Sequence, residues 1–189
     1  MTAANAPENA VRATEFTVRL ATTEDQLHAA QRLRYEVFVE ELGGDGPLCD
    51  HINRLERDRF DAFADHLIVT DPSCDGRMVG VYRVMRQVHA EAAGQFYSAD
   101  EYDLDPLRRS GRRLLELGRS CLHRDYRGGA ALFHLWQGLA TYVERHGIEI
   151  LFGVASFHGT DVQAMAQPLS LLHHRHLAPP HLRVRARAF

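Results

Sequence analysis

Hydrophobic residues recur along the chain with two different periods, and the shorter period predicts strands. Segments that alternate between apolar and polar residues, or that carry continuous β-branched and apolar runs, are typical of β-strands. Such segments lie at residues 16–20, 66–70, 78–87, 113–122 and 148–157, with a shorter alternating one at 182–188. The segment 148–157 is almost continuously apolar, so we expect this strand to be buried on both faces.

The longer period, close to 3.6 residues, predicts helices. They cover about residues 24–41, 130–146 and 161–174. Thr22 and Thr23 offer N-caps for the first helix, and Thr160 offers one for the third. The second helix is expected to bury one apolar face, which consists of Leu132, Leu135, Trp136, Leu139 and Val143.

The order of these elements predicts an α/β fold with three layers, a central mixed β-sheet flanked by helices. We expect one domain over residues 15–189, preceded by a disordered leader at 1–14, whose small polar residues exclude a signal peptide. Residues 49–62 form a charged loop in this prediction. A second loop at 90–110 is long and irregular, and loops of that length tend to be functional.

Composition removes several classes of enzyme. All 22 residues counted as Lys+Arg are arginines, so the chain has no lysine for a Schiff base, a Walker A loop or a protein kinase. No apolar run approaches the ~20 residues of a membrane span. The three cysteines have no C-x-x-C spacing, which argues against a disulfide framework or a zinc ribbon. These features predict a globular cytoplasmic protein.

Charge is distributed unevenly along the chain. No carboxylate side chain follows Asp161, whereas four arginines do: Arg175, Arg183, Arg185 and Arg187. Such a basic segment is typical of a protein with an anionic partner, which would be a phosphate, an acidic carrier protein or a lipid surface. A solvated surface explains the same pattern, and the sequence leaves both interpretations open.

The segment 115–130 contains the strongest local signal for a binding site. A strand ends, a short turn follows, and a long helix begins at Arg127-Gly128-Gly129-Ala130. Backbone N–H groups at the start of a helix, beside glycines and an arginine, form a site for a phosphate group.

This strand, turn and helix resemble the core of the GNAT acyltransferases, whose Arg-x-x-Gly-x-Gly/Ala loop holds the pyrophosphate of coenzyme A. Ala130 and Leu132 stand at the two glycine positions, and Leu132 departs from that pattern. An acyl donor that carries only phosphopantetheine, such as an acyl carrier protein, would need fewer contacts from this pyrophosphate-binding loop. The resemblance therefore implies a GNAT-like fold in which Arg127, Gly128, Gly129 and Ala130 bind pantetheine.

A closer resemblance, over about residues 34–187, is to the ornithine N-acyltransferases. Its motifs are Leu33-Arg34-Tyr35-Glu36-Val37-Phe38, Phe60-Asp61, Asp65-His66-Leu67-Ile68-Val69, Tyr82-Arg83-Val84-Met85, Gly94-Gln95-Phe96-Tyr97-Ser98, Leu115-Glu116-Leu117-Gly118-Arg119-Ser120 and Phe152-Gly153. The family transfers a 3-hydroxy fatty acyl group from acyl carrier protein to the α-amine of L-ornithine, which forms lyso-ornithine lipid. Its members usually extend further, so the resemblance leaves two expectations open: C-terminal strands that are truncated, or a shorter relative of these enzymes.

A sparser resemblance is to the acyl-homoserine lactone synthases, which share a scattered pattern of charged residues with this chain. The pattern falls on Arg34, Phe38, Asp58, Asp61, Arg83, Glu116 and Arg119. The tryptophan that follows the first helix in those synthases is absent, since Gly44 stands near that place. This departure argues against lactone formation.

Both resemblances imply roles for individual residues. Glu116 is the candidate catalytic base, although a structural ion pair with Arg119 is an equally open interpretation. Arginine forks bind carboxylates, and carboxylates bind ammonium groups. The acceptor amino acid would therefore contact Arg34, Arg83, Arg119, Asp58 and Asp61, with Phe38, Phe96 and Tyr97 beside it. Strand alternation places Cys121 on the opposite face from Glu116, so a cysteine nucleophile is not expected.

The expected partners follow from the same resemblance. They are acyl carrier protein and L-ornithine, with no metal and no cofactor apart from the carrier's phosphopantetheine. We expect no nucleic acid, and a peripheral contact with an anionic membrane through the basic C-terminal segment. The alternatives are an N-acyl amino acid synthase with another acceptor, an acyl-homoserine lactone synthase, and a non-enzymatic module that binds acyl carrier or lipid.

Overall fold

A five-stranded mixed β-sheet forms the centre of the protein in a computed structural model, which describes residues 16–157 and 159–187. Its strands are β1 (Thr17–Leu20), β4 (Asp65–Asp71), β5 (Arg77–Arg86), β7 (Leu114–Leu122) and β8 (Ile150–Gly153). They lie in the order β1-β4-β5-β7-β8, and only β7 and β8 are parallel. The predicted mixed sheet is confirmed.

The other elements are helices and two small two-stranded sheets. The helices are α1 (Glu24–Arg34), which continues as a π-helix (Tyr35–Glu41), α2 (Gln87–Ala93), α3 (Asp105–Arg108), α4 (Ala130–His146) and α5 (Ala166–His176). One small sheet is the hairpin of β2 (Cys49–Asp50) and β3 (Leu55–Glu56), and the other pairs β6 (Tyr102–Asp103) with the distant β9 (Arg185–Ala186). The segments at 49–62 and 90–110, predicted as loops, thus contain short regular elements.

Helices cover both faces of the sheet, as the three-layer prediction requires. On β4, Val69 packs against Leu135 and Leu139 of α4 in one core. Its neighbour Ile68 faces the other side and packs against Leu33 of α1. Successive strand residues point to opposite faces, so the two cores lie on opposite sides of the sheet.

The first helix begins where the sequence predicted. The backbone N–H of Gln26 donates to the Thr23 hydroxyl oxygen at 3.3 Å, which caps the first turn. The π-helical half reaches Glu41, so the predicted end is correct as well. π-Helical turns are rare and occur often at functional sites.

Two predictions about burial are wrong. Strand β8 covers only four residues, and Leu151 is 45% exposed because α4 packs on β1, β4 and β5 and leaves this edge strand uncovered on that face. On α4 itself, the predicted apolar face is confirmed at Leu135 and Leu139, which are buried, and at Val143, which is partly buried against the same core. Leu132 and Trp136 are exposed, and Ala131 and Tyr142 contact the sheet in their place.

The C-terminal part differs from the prediction in one boundary. The predicted N-cap at Thr160 is wrong, because α5 begins at Ala166 and its N-cap residue is Met165. Asp161 instead accepts hydrogen bonds from the backbone N–H groups of Gln163 and Ala164 in a preceding turn. The predicted strand at 182–188 is represented by β9, and its last residue lies outside the described residues, as does the predicted leader at 1–14. Within residues 16–157 and 159–187, every helix is too short or too polar to cross a bilayer.

Candidate active site

Charged side chains that are buried beside the sheet form the candidate site. Three arginines and three carboxylates meet there, on α1, β3, β5, β7 and the turn before β4. They are Arg34, Arg83, Arg119, Glu56, Asp58 and Asp61. Equal numbers of positive and negative charges are present, which is what burial of charge requires.

Arg34 lies at the centre of this cluster and is fully buried. Its Nη1 and Nη2 donate to the two oxygens of Asp61 at 2.9 and 2.7 Å, and its Nε donates to Glu56 at 2.6 Å. Burial alone would lower the pKa of Arg34, but these carboxylates raise it. The guanidinium group has no remaining surface for a substrate, so Arg34 holds the cluster together.

The carboxylate of Asp61 likewise has hydrogen bonds to both of its oxygens. It accepts hydrogen bonds from Arg34, from Arg83 Nη1 at 2.7 Å and from the Gln31 amide at 3.0 Å. Burial would raise the pKa of Asp61, but the hydrogen bonds and charge of Arg34, together with the charge of Arg83, lower it well below its usual range. Asp61 therefore remains ionised inside the protein.

Arg119 lies at the edge of the cluster on an irregular part of β7. The pairing of β5 and β7 shifts by one residue between Val81–Cys121 and Arg83–Gly118, and Arg119 has a φ of 52°. A non-glycine residue with positive φ is strained, and such residues occur at functional sites. This bulge turns the Arg119 side chain towards the candidate site.

The contacts of Arg119 are looser than those of Arg34. Its guanidinium carbon lies 4.8 Å above the Tyr97 ring, and its Nη2 lies 3.3 Å from the Tyr97 hydroxyl and 3.5 Å from Asp58. Its Nε is 2.9 Å from Glu56 but lacks hydrogen-bond geometry. The side chain is 17% exposed, against 0% for Arg34. Arg119 is thus the arginine of this cluster that a substrate can reach.

Glu116 lies on β7 beside the cluster, with both carboxylate oxygens occupied. The backbone N–H groups of Tyr97 and Ser98 each donate to it at 2.7 Å, and the Ser98 hydroxyl donates as well. The proposed pair of Glu116 with Arg119 is wrong, because the bulge directs Arg119 to Glu56 and Asp58 instead. Glu116 fixes the turn that carries Tyr97.

The bulge also corrects the position of Cys121. Cys121 pairs with Val81, and Glu116 pairs with Met85. Val81 and Met85 are four residues apart on β5, so Cys121 and Glu116 share a face after all. Burial raises the pKa of the Cys121 thiol to about 12, which leaves it protonated and unsuited to act as a nucleophile.

The two phenylalanines lie apart from the charges. Phe96 is 1% exposed, and its ring packs edge-on against Phe152 of β8 at 5.0 Å. Phe38, on the π-helix, packs against the core beneath α1. Glu56 and Ser98 were not among the predicted site residues. Ser98 stands in the motif Gly94-Gln95-Phe96-Tyr97-Ser98 but was given no role, and Glu56 belongs to none of the motifs.

A narrow cavity lies next to Glu116, where the sheet opens. Strands β7 and β8 pair only as far as Leu117 and Gly153. The cavity, of about 10 Å³, is lined by Arg83, Met85, Tyr97, Glu116, Leu117 and Gly118. Beyond this point the backbone of β7 has no paired neighbour on the β8 side among the described residues, which can free N–H groups to stabilise an oxyanion.

The predicted phosphate loop precedes α4. Gly128 has a φ of 73°, Gly129 is the N-cap residue, and no side chain caps the helix. Space is open around both glycines. Arg127 is not free, because its guanidinium makes two hydrogen bonds to Glu41, at 2.5 and 2.7 Å.

Comparison with known proteins identifies the class. Residues 33–137 match the family described as an acetyltransferase (GNAT) domain. The acyl-homoserine lactone synthase LasI superposes with a TM-score of 0.54 at 19% identity, over 83% of this chain and 78% of that one. FeeM, an N-acyl amino acid synthase from uncultured soil microbes, gives 0.56 at 16% identity, over 85% and 78%. The fold and the site define an acyltransferase of the GNAT class.

Sequence relatives narrow the assignment. A protein named L-ornithine N(alpha)-acyltransferase from Rhodobacter capsulatus is 61% identical over 178 residues, which are 92% of this chain and 69% of the relative. A protein of the same name from Brucella abortus is 45% identical over 175 residues, 89% of this chain and 62% of the relative. The chain belongs to the L-ornithine N(alpha)-acyltransferase family, and it spans about two thirds of the length of these relatives.

Proposed function

We propose that the protein transfers a 3-hydroxy fatty acyl group from acyl carrier protein to the α-amine of L-ornithine and forms lyso-ornithine lipid. The observation that carries this proposal is the 61% identity to a relative named for the acceptor. The absence of lysine is compatible with it, because direct attack of an amine on a thioester needs no lysine.

The acceptor would bind at the outer edge of the charge cluster. Its carboxylate fits the guanidinium of Arg119, which is accessible and incompletely hydrogen-bonded. Its side-chain ammonium is proposed to bind Asp58 Oδ2, which is buried but has only a loose contact of 3.5 Å with Arg119 Nη2. Arg34, Asp61 and Arg83 would act as positioning residues, because their polar atoms already face one another.

The reaction would take place beside the opening of the sheet. The amine nitrogen attacks the thioester carbonyl carbon, the carbon–sulfur bond breaks, and the thiolate leaves and takes up a proton. An α-amine is less basic than a lysine side chain, so a fraction of it is available in the neutral, nucleophilic form near neutral pH. Glu116 is therefore proposed to position Tyr97 rather than to act as an obligatory base, which is supported by its three hydrogen bonds.

The donor would approach the open loop at the start of α4. The uncapped N–H groups after Gly129 are suited to the phosphate of phosphopantetheine. Arg127 would join them only after release from Glu41. The exposed basic residues of the C-terminal segment, Arg175, Arg183 and Arg185 among them, are proposed to contact the acidic carrier or an anionic membrane.

Acceptor choice tests the proposal. The purified protein is incubated with 3-hydroxyacyl carrier protein and ornithine, lysine, glycine or S-adenosylmethionine, while free carrier thiol and acylated product are measured. We expect product with ornithine. Activity with glycine alone would assign an N-acyl amino acid synthase, activity with S-adenosylmethionine alone a lactone synthase, and carrier binding without turnover a binding module.

Charge reversal tests the basic segment. The variant with Arg183→Glu and Arg185→Glu should bind acyl carrier protein and anionic vesicles more weakly, with an unchanged KM for ornithine. The control is Arg145→Glu, an exposed arginine at the end of α4. Equal weakening in variant and control would assign the basic segment to a solvated surface.

A further inference from the structure

The segment between the π-helix and β3 brings together three side chains of different chemistry. Asp45, Cys49 and His51 offer a carboxylate oxygen, a sulfur and a ring nitrogen that all lie within 4.8 Å of one another. Gly43 and Gly46 have φ angles of 72° and 123°, which allow the chain to reverse here. The backbone N–H of Cys49 closes the turn by donating to the Gly46 carbonyl at 3.0 Å.

His51 is already oriented within this group. Its Nδ1 lies 2.8 Å from the hydroxyl of Tyr35, a buried residue of the π-helix. Its Nε2 faces Asp45 Oδ1 at 3.2 Å. A histidine that binds a metal through Nε2 commonly donates its other N–H to an oxygen, which fixes the tautomer and the ring orientation. Tyr35 provides such an oxygen.

We infer that Asp45, Cys49 and His51 form a zinc site. Thiolate, imidazole and carboxylate together are ligands for Zn²⁺, whereas Mg²⁺ and Ca²⁺ prefer oxygen alone. Ligands of one tetrahedral zinc ion stand roughly 3.5 Å apart. Zinc binding would therefore draw the three ligand atoms closer together than their present limit of 4.8 Å. Three protein ligands leave the fourth position for water.

The site is accessible and shares no residue with the charge cluster at the proposed acceptor pocket. The side chains of Asp45 and His51 are 82% and 54% exposed, so a metal ion can enter without unfolding the turn. Cys49 pairs with Glu56 across the β2–β3 hairpin, and Glu56 contacts Arg34. Zinc would therefore stabilise the turn at the outer end of the hairpin that carries Glu56. The inference does not depend on the acyl acceptor or donor.

Cobalt binding provides a direct test. The chain is reduced, freed of metal with a chelator and titrated with Co²⁺, and the absorption of the thiolate–cobalt bond is recorded before Zn²⁺ is added. We expect one equivalent of Co²⁺, a thiolate band that Zn²⁺ abolishes, and a higher thermal midpoint with zinc. No thiolate band at one equivalent would overturn the inference.

Variants locate the ion. Cys49→Ser should abolish the band, whereas Cys74→Ser, at an exposed free cysteine outside the group, should retain it. His51→Gln changes an exposed side chain and provides a second test if Cys49→Ser fails to fold. This variant should abolish stoichiometric metal binding. Tyr35→Phe should weaken binding roughly 10-fold or more while keeping the band. A band that persists in Cys49→Ser or stoichiometric binding that persists in His51→Gln would contradict the site.

Discussion

Two arginine–carboxylate pairs in this protein have nearly the same geometry and opposite surroundings. Arg34 makes two hydrogen bonds to Asp61 at 2.9 and 2.7 Å, and Arg127 makes two to Glu41 at 2.5 and 2.7 Å. The side chains of the first pair are 0% and 4% exposed, and those of the second are 41% and 23% exposed.

The difference in burial decides what each pair can do. Removing one member of a buried pair leaves an uncompensated charge in the interior, whereas water replaces a lost partner at the surface. Arg34 is therefore committed to the structure. Arg127 can exchange Glu41 for another anion, such as a phosphate group, at little cost to the fold.

The largest expected effect is on stability when the buried pair is broken. Arg34→Met keeps the bulk of the side chain but leaves Glu56 and Asp61 without their main partner. We expect a loss of about 3–5 kcal/mol in the free energy of unfolding, measured by urea denaturation. Arg127→Met is the matched control and should unfold near the wild-type midpoint. Similar midpoints for both variants would refute the role of burial.

Glu116→Gln should have the next largest effect. The amide nitrogen replaces an oxygen that accepts backbone hydrogen bonds from the Tyr97–Ser98 turn. We expect a loss of about 1–3 kcal/mol in unfolding free energy, together with slower thioester turnover. If turnover disappears while the stability remains that of the wild type, Glu116 acts as the catalytic base instead.

Acidification should destabilise the protein because the buried His66 resists protonation in the folded state. Burial is the main cause that lowers the pKa of His66, so the unfolded chain takes up a proton first. The stability from His66 is complete above about pH 6.5 and is lost as the pH falls towards its folded pKa. The slope is at most about 1.4 kcal/mol per pH unit for one proton. His66→Gln should flatten urea midpoints between pH 7 and 5, and an unchanged slope would contradict this assignment.

The smallest effect on stability is expected at the exposed pair. Glu41→Gln should leave the urea midpoint unchanged, because water solvates both side chains. Its effect should lie in binding, since a released Arg127 favours an anionic donor. We expect a lower KM for the acyl donor in this variant and a higher one in Arg127→Gln. A donor KM that is unchanged in both would exclude Arg127 from the donor site.

Much of the local structure was predictable from the sequence. Periodicity located β1, α1 and α4 closely, because the spacing of apolar residues and the capping residues act within one element. The same reasoning failed for β8, which was expected to be buried on both faces. Burial depends on which helix crosses which strand, and the position of α4 over β1, β4 and β5 is a long-range property.

The candidate site was predicted in part. The resemblance to the acyl-homoserine lactone synthases selected Arg34, Asp58, Asp61, Arg83 and Arg119, and the fold brings these residues into contact. It did not select Glu56, and the ion pair with Arg119 that was the alternative role for Glu116 is not formed. One extra residue in β7 reverses the alternation of side chains, and the sequence pattern did not predict this bulge.

The sequence by itself determined the order of strands and helices, the absence of lysine and the set of charged residues from which a site could be built. Only the tertiary structure decided that every guanidinium nitrogen of Arg34 donates a hydrogen bond, that Arg119 is accessible, and that Arg127 is paired with a partner that can be replaced. The reason is physical: residue type specifies charge and local propensity. Hydration and pairing depend on neighbours that are distant along the chain.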